Sequence, residues 1–463
     1  MKEQITKNPM ATEPVEKILL KMSIPVILSM MLQAAYNIVD SMFVANMPDY
    51  DGIVNAGEMA VNALTLAFPV QMLFVAFGIG TGVGMGAALS RVLGAGKKDE
   101  AAHTAGNGIF LGITMYVIFF LFGLFGIDAY LNLQSNNETV IQMAGSYLRI
   151  CTLLCLGNIM FGIFEKMLQS TGKTQLSTIA QVTGALTNVV LDPILIYGLA
   201  GLPALGIKGA AIATVIGQFV SFFMALYLQI FKNKEIALDW RYLKPDARII
   251  GNIYSIGLPA IIMQALMSFM TFAVNMIYVG VSESAVTAYG IFYKIQQFIY
   301  FAGFGIRDAI TPLVAYNYGM GSESRVKKAI KYGLIYITIV MLIGVALMEF
   351  GGEGLASIFN LADYTESLCV RAMKIIAIGF VFAGINIALQ GVFQAMEAGV
   401  NSLIISVLRL FLVPLGLSIW FARLSNADFA IWFAFPIGEI IAAIVAVALV
   451  ARLFRNTYMR VGM

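Results

Sequence analysis

Four polar side chains stand in stretches of this chain that are otherwise apolar. Asp40 interrupts the run at 16–45, Asn188 and Asp192 the run at 174–199, and Thr214 the run at 207–231. Read as helices that cross a membrane in turn, these runs put Asp40, Asp192 and Thr214 about six or seven residues from the same side, and at ~1.5 Å rise per residue the three share one depth. Asn188 is one helical turn deeper than Asp192 and on the same face. Two carboxylates, an amide and a hydroxyl at one depth can bind a small cation or share a proton, because an unpaired charge is costly in an apolar medium. The competing reading is two separate acids, each hydrogen-bonded for structural reasons.

The second half offers a different set: Lys294, Arg307, Asp308, Lys374, Arg409 and Glu439. Asp308 is a candidate for contact with a cationic substrate, with Gln264, Met263 and Asn62 as tentative neighbours, or else a salt-bridge or gate residue. Arg307, adjacent in sequence, is expected on another helix face and need not neutralise Asp308. Arg409 and Glu439 fall near mid-depth on consecutive runs and read as a structural ion pair. Four bases against two acids leave this half positive, which weakens the case for an exclusively cationic substrate. Cys151, Cys155 and Cys369 read as packing thiols, with no His or acid at ligand spacing. His103, the sole histidine, reads as a surface residue near a helix junction. Gly78 to Gly86 has glycine at every second position but no lysine at phosphate-loop spacing, so it reads as a close-packing surface. No nucleophile–base or metal constellation is evident, so no enzyme and no cofactor are expected. No nucleotide-binding motif is present either, and no nucleic-acid partner is expected.

The elements that must position these residues follow from composition. Of 463 residues, 59% are hydrophobic and 12% charged, against about 25% charged in soluble chains. Such surface suits a lipid bilayer, where only helices or a closed barrel satisfy the backbone. The long unbroken apolar runs lack barrel alternation and predict an all-α integral membrane protein. About twelve spans are expected, near 16–45, 57–90, 103–127, 140–165, 174–199, 207–231, 248–280, 285–318, 327–351, 366–396, 399–422 and 428–453. A polar linker at about 232–248 divides a lobe at 1–235 from one at 236–463. Lys and Arg, including Lys2, Lys7 and Arg460, gather at one set of span ends, while Asp49, Asp51 and Asp128 sit at the other. By the positive-inside rule both termini are cytoplasmic. Trp420 and Trp432 read as interfacial anchors.

The halves are repeats. Ser23-Ile24-Pro25 matches Gly257-Leu258-Pro259, Gly78 and Gly80 match Gly303 and Gly305, Asp192-Pro193 matches Val413-Pro414, and Gly217-Gln218 matches Gly438-Glu439. Parallel six-helix repeats are expected around a central cavity.

Asn188-Val-Val-Leu-Asp192-Pro193, Gly209 to Thr214, Tyr36-Asn-Ile-Val-Asp40 and Pro312 to Gly319 together resemble the multidrug and toxic compound extrusion (MATE) family, prokaryotic type. The resemblance covers nearly the whole chain. It implies a multi-pass plasma-membrane antiporter, expected to work as a monomer. Such a protein exports organic, cationic and amphiphilic compounds in exchange for H⁺ or Na⁺ by alternating access. It implies that Asp40, Asn188, Asp192 and Thr214 form the coupling site, a possible Na⁺ site, and that Pro25 is a helix-1 hinge. One branch of the family carries a helix-7 glutamate and a helix-10 aspartate. This chain has Gln264, Ser268, Asn386 and Gln390 in those regions, so that branch's second cation site is not expected. The alternatives are a lipid-linked oligosaccharide flippase of the same broad superfamily, a channel, and an intramembrane enzyme.

Overall fold

The computed structural model describes residues 8–48, 55–135, 137–357, 359 and 361–458. Lys2, Lys7, Asp49, Asp51 and Arg460 lie outside the described residues. Among the described residues there is no strand. Each expected apolar run coincides with one helix or one bent helix pair: α1 Val15–Ala45, α2 Ala56–Gly94, α3 Lys98–Phe125, α4 Glu138–Leu153 with Leu156–Ser170, α5 Thr174–Tyr197 and α6 Ile207–Lys232. Then follow α7 Ala247–Val279, α8 Glu283–Gly319, α9 Glu323–Ser357, α10 Asp363–Ala377 with Phe380–Ala395, α11 Gly399–Phe421 and α12 Ala427–Thr457.

The fourth helix of each repeat is broken, by 46° in α4 and 53° in α10. Hydropathy averages over such a break, so each had read as one straight span. The packing at the two breaks is alike. Gly157 of α4 lies against the Phe219 backbone of α6, and Gly379 of α10 against Pro436 of α12.

Contacts divide the chain into two compact units. The first comprises 28–93 and 97–261, the second 1–27, 94–96 and 262–463. The first unit thus holds α1 from Leu28 onward and α7 as far as Ile261. Within it, the alternating glycines of α2 serve two partners. Gly82 and Gly86 lie against α4, while Gly80 and Gly84 lie against the first turns of α7, where an added Cβ would come within 2.3 Å of Ile261 and 2.2 Å of the Ile253 carbonyl. The polar linker is docked on this unit. Asn107 of α3 donates to the Lys244 carbonyl and accepts from the Asp246 amide at 2.8 Å. The Tyr242 ring meets the partly exposed His103 edge-on at 4.8 Å.

In the second unit the segment before α1 is latched in place. Arg325 donates to the carbonyls of Met10 and Glu13, and to Asn317 Oδ1, each at 2.8 Å. The start of α1 continues this packing, with Ile27 against Gly305 of α8. Trp420 is 59% exposed, as an interfacial anchor requires, but Trp432 is 0% exposed. Its Nε1 donates to the Asp428 carbonyl at 2.7 Å and its ring packs edge-on against Tyr278. The expectation of two interfacial tryptophans is therefore corrected. A local acceptor one turn earlier satisfies the indole, and nothing in a hydropathy profile shows this.

The α5–α6 contact gives a test. A Cβ on Gly184 would stand 1.8 Å from Ser221 Oγ and 2.4 Å from the Gly217 carbonyl, whereas Gly251 has open space. Gly184→Val is expected to cost about 1–3 kcal/mol or more through overpacking and to lower the melting temperature in detergent. Gly251→Ala is expected to leave it unchanged.

Candidate functional site

The first unit carries a polar stripe along α1: Ser29, Gln33, Tyr36 and Asp40, spaced by three or four residues and so on one face. Facing it on α5 are Gln181, Asn188 and Asp192. Ser29 donates to Gln181 Oε1, and Gln181 Nε2 donates to Gln33 Oε1 at 2.8 Å. Farther along, Tyr197 Oη donates to the Phe43 carbonyl at 2.8 Å. The two helices therefore run parallel at a sequence separation of 148 to 154 residues. That register sets Asp40 opposite Asp192. The two carboxyl groups lie within hydrogen-bonding reach of each other, with the Tyr36 phenol beside both.

The antiparallel pair α5–α6 supplies the rest. Asn188 meets Gly217, and Leu195 meets Gly209, where no Cβ intervenes. This register brings the Thr214 turn to the level of Asp192. Asn188 Nδ2 donates to Asp192 Oδ1 at 3.1 Å, so the amide presents its own oxygen on the other side. Asp192 is 0% and Asn188 3% exposed. Asp40 Oδ1, Asn188 Oδ1 and Asp192 Oδ2 are buried atoms that accept no hydrogen bond among the described residues. Three such oxygens form an acceptor-only cluster, the donor set of a hard cation or a shared proton. No group of three or more His, Cys, Asp or Glu suited to a metal occurs among the described residues, so the cluster lacks the ligands that a transition metal prefers.

Two residues had not been singled out. Tyr147 of α4 lies near Asp40 and accepts from Gln71 Nε2 of α2 at 3.0 Å. The signal available was weak, a lone Gln and a lone Tyr in apolar runs. Asn62 is exposed on α2, and no hydrogen bond joins it to Asp40 among the described residues. All three cysteines are buried and free.

In the second unit Arg409 and Glu439 form the expected ion pair at 2.7 Å, and Asn386 Nδ2 donates to Glu439 Oε2 at 2.7 Å. Asp308 requires a correction. The Arg307 guanidinium holds Asp308 Oδ1 at 2.8–2.9 Å, while Asp308 is only 7% exposed. Adjacent residues leave a helix in different directions, but a long arginine arm can fold back. Here its guanidinium also rests on the Phe304 ring, 4.8 Å from the centroid. Asp308 is therefore neutralised by its neighbour. One cavity in this unit is lined on α7 by Met267 and Met270, and Met263, Gln264 and Asp308 are not in its wall.

A helical protein with ten to twelve candidate spans among its described residues, and a carboxylate pair inside one unit, falls in the class of polytopic membrane transporters. The sequence profile described as MatE matches residues 25–194 and 259–420, and the chain belongs to that family. It is 26% identical over 389 residues to the multidrug export protein MepA of Staphylococcus saprophyticus, covering 84% of this chain and 83% of that protein. Among solved structures, a MATE protein in complex with MaL6 superposes with a TM-score of 0.89 at 23% identity, covering 96% and 99% of the two chains. An outward-facing multidrug resistance MATE transporter of the MOP superfamily gives 0.88 at 23% identity, covering 98% of each chain.

If the acids serve ligand binding and not folding, replacing one by its amide relieves repulsion between like charges and leaves no new orphan. Asp192→Asn is expected to insert normally and melt no lower than wild type in detergent. A fall of more than a few degrees would mark the pair as a structural element.

Proposed function

We propose that the protein is a secondary active exporter that releases organic amphiphiles, cations among them, in exchange for H⁺ or Na⁺. The observation that carries this reading is the set of three acceptor oxygens, from Asp40, Asn188 and Asp192, buried together without a donor. Such a cluster calls for a positive guest. The relatedness to a multidrug export protein supports the choice of cargo.

In this mechanism a proton bridges Asp40 and Asp192, or a Na⁺ takes their free oxygens with Asn188 Oδ1 and the Thr214 hydroxyl. Tyr36 and Tyr147, with Gln71 behind it, shape the chamber. Cation entry changes the charge of the α1 stripe and so the relative stability of two conformations. Transport needs only a difference in affinity between those conformations. The six-helix repeats, 1–235 and 236–463, would alternate access, with Pro25 as the flexible point of α1. We place the protein in the plasma membrane with both termini in the cytoplasm and acting as a monomer, in keeping with the charge asymmetry of its span ends.

The test is export of a fluorescent organic cation from proteoliposomes under a pH gradient or a Na⁺ gradient, each imposed alone. Wild type is expected to export under one of them. Asp40→Asn and Asp192→Asn are expected to lose at least ~90% of gradient-driven flux, as removal of a group that carries the coupling charge should. Unchanged ion dependence in Asp192→Asn would remove the site assignment. No export under either gradient would favour the flippase.

A further inference from the structure

The second unit has a strongly basic corner. Lys327 and Lys331 stand one turn apart near the start of α9, and Arg452 and Arg455 near the end of α12. All four are exposed. Residues three or four apart share a helix face, so each pair points one way. Glu323 and Lys327 on one side, with Ala448, Ala451, Arg452 and Arg455 on the other, wall a groove of about 520 Å³. That volume lies within the ~300–1,000 Å³ of small-molecule sites. Alanine at 448 and 451 leaves the space that a larger side chain would take. Both helices pack on the second segment of α10, which fixes them relative to each other.

The wall of this groove carries three cations and one acid. The acid is engaged, since Lys327 Nζ holds Glu323 Oε1 at 2.6 Å. Neither Arg452 nor Arg455 forms a side-chain hydrogen bond or an ion pair among the described residues. A guanidinium fork matches phosphate oxygens, and two arginines one turn apart on one face can reach the same phosphate. The first repeat treats the equivalent surface differently. By the correspondence that pairs Gly80 with Gly305, Lys327 and Lys331 stand where Ala102 and Gly106 stand, and by the one that pairs Gly217 with Gly438, Arg452 stands where Phe231 stands. There the cations are replaced by small or apolar residues and the linker lies on α3, where a Cβ on Gly106 would come within 2.0 Å of the Tyr242 carbonyl. Residues 459–463, which lie outside the described residues, bring a further cation, Arg460. Charge complementarity therefore calls for an occupant from outside the chain.

The same helix faces turn apolar within the spans. On α9, Ile335 and Leu342 follow Lys331, and on α12, Ile441 and Ile444 precede Ala448; all four are exposed. At ~1.5 Å rise per residue these stripes run about 15–20 Å from the charges. That is the depth of one leaflet, about half of a ~30 Å hydrocarbon core. A soluble phosphate needs only the charged end, and an apolar ligand needs only the stripe. We infer that this groove binds an anionic phospholipid from the leaflet that meets this end of the bundle. Arg452 and Arg455 take its phosphate, and its acyl chains lie along Ile335 and Ile444. The site goes beyond the exporter reading and does not rest on it.

The experiment is native mass spectrometry of the delipidated full-length protein in neutral detergent, titrated with dioleoyl phosphatidylglycerol or dioleoyl phosphatidylcholine. The two lipids share their chains and differ in charge. Arg452→Ala/Arg455→Ala removes the unpaired cations, and Ala448→Trp fills the groove but keeps every charge. Lys232→Ala/Lys234→Ala removes two exposed cations from the first unit as a control. Wild type is expected to bind one phosphatidylglycerol more tightly than phosphatidylcholine. That affinity should fall about 10- to 30-fold in the double arginine variant, as for the loss of two cations beside an anionic head group. It should fall several-fold in Ala448→Trp and stay unchanged in the lysine control. An equal fall in the lysine control would mean unspecific attraction and would overturn the inference. No preference for phosphatidylglycerol, or no fall in the double arginine variant, would overturn it too. Displacement of the lipid by an equal concentration of glycerol phosphate would assign the groove to a soluble phosphate instead. Binding that appears only in a chain ending at Tyr458 would give the groove to residues 459–463 and refute the lipid. Lipid binding as expected without gradient-driven export would refute the exporter reading alone, and export without this lipid site would refute the site alone.

Discussion

The structure depends on the parallel register of α1 and α5, which holds two carboxyl groups face to face in an apolar bundle. Like charges at that distance and away from water repel strongly, and among the described residues neither carboxyl group forms an ion pair with an arginine or lysine. The hydrogen bonds of Ser29, Gln181 and Gln33 at one end, and of Tyr197 to the Phe43 carbonyl at the other, fix the register over several turns. A slip of one residue would rotate Asp40 by about 100° away from α5. The cluster is thus held by uncharged hydrogen bonds some distance from it, which leaves its own oxygens free for a guest.

The two units solve the same problem in opposite ways. In the first, an amide at position 188 donates one bond to Asp192 and leaves acceptors open. In the second, a guanidinium at the equivalent position 409 takes its carboxylate fully. Buried ion pairs add little to stability compared with apolar packing, so the Arg409–Glu439 pair is better understood by the orientation it imposes on the guanidinium. Repeats that match in sequence thus differ in their polar groups, one leaving acceptor oxygens open and the other closing a carboxylate on a guanidinium.

Much of this was legible in the sequence, because the bilayer makes hydropathy a strong guide to span number and because acids inside spans are rare. Asp40, Asn188, Asp192 and Thr214 could be placed at one depth from rise per residue alone. What the sequence hid was lateral: which helix faces which. Thus Tyr147 and Gln71 escaped notice, since nothing in their own runs announces a neighbour on α1. Arg307 was misread because a face argument treats side chains as vectors, whereas an arginine arm is long enough to reach round its own helix. The bends of α4 and α10 were hidden for a related reason. They arise where a glycine allows close approach of another helix, at Gly157 and Gly379, and not from any local drop in hydropathy.

The division of α1 and α7 between the units bears on how the protein is made. The chain emerges from its N-terminus, yet residues up to Ile27 belong with α8–α12, and the first unit is not complete until Ile261. The opening helix is therefore synthesised long before its resting place exists. Its first half must wait beside the growing bundle until α8 brings Gly305 to Ile27 and α9 brings Arg325 to the Met10 and Glu13 carbonyls. Assembly of the first unit can proceed during translation, whereas locking of the N-terminal segment is a late event that waits for α8 and α9.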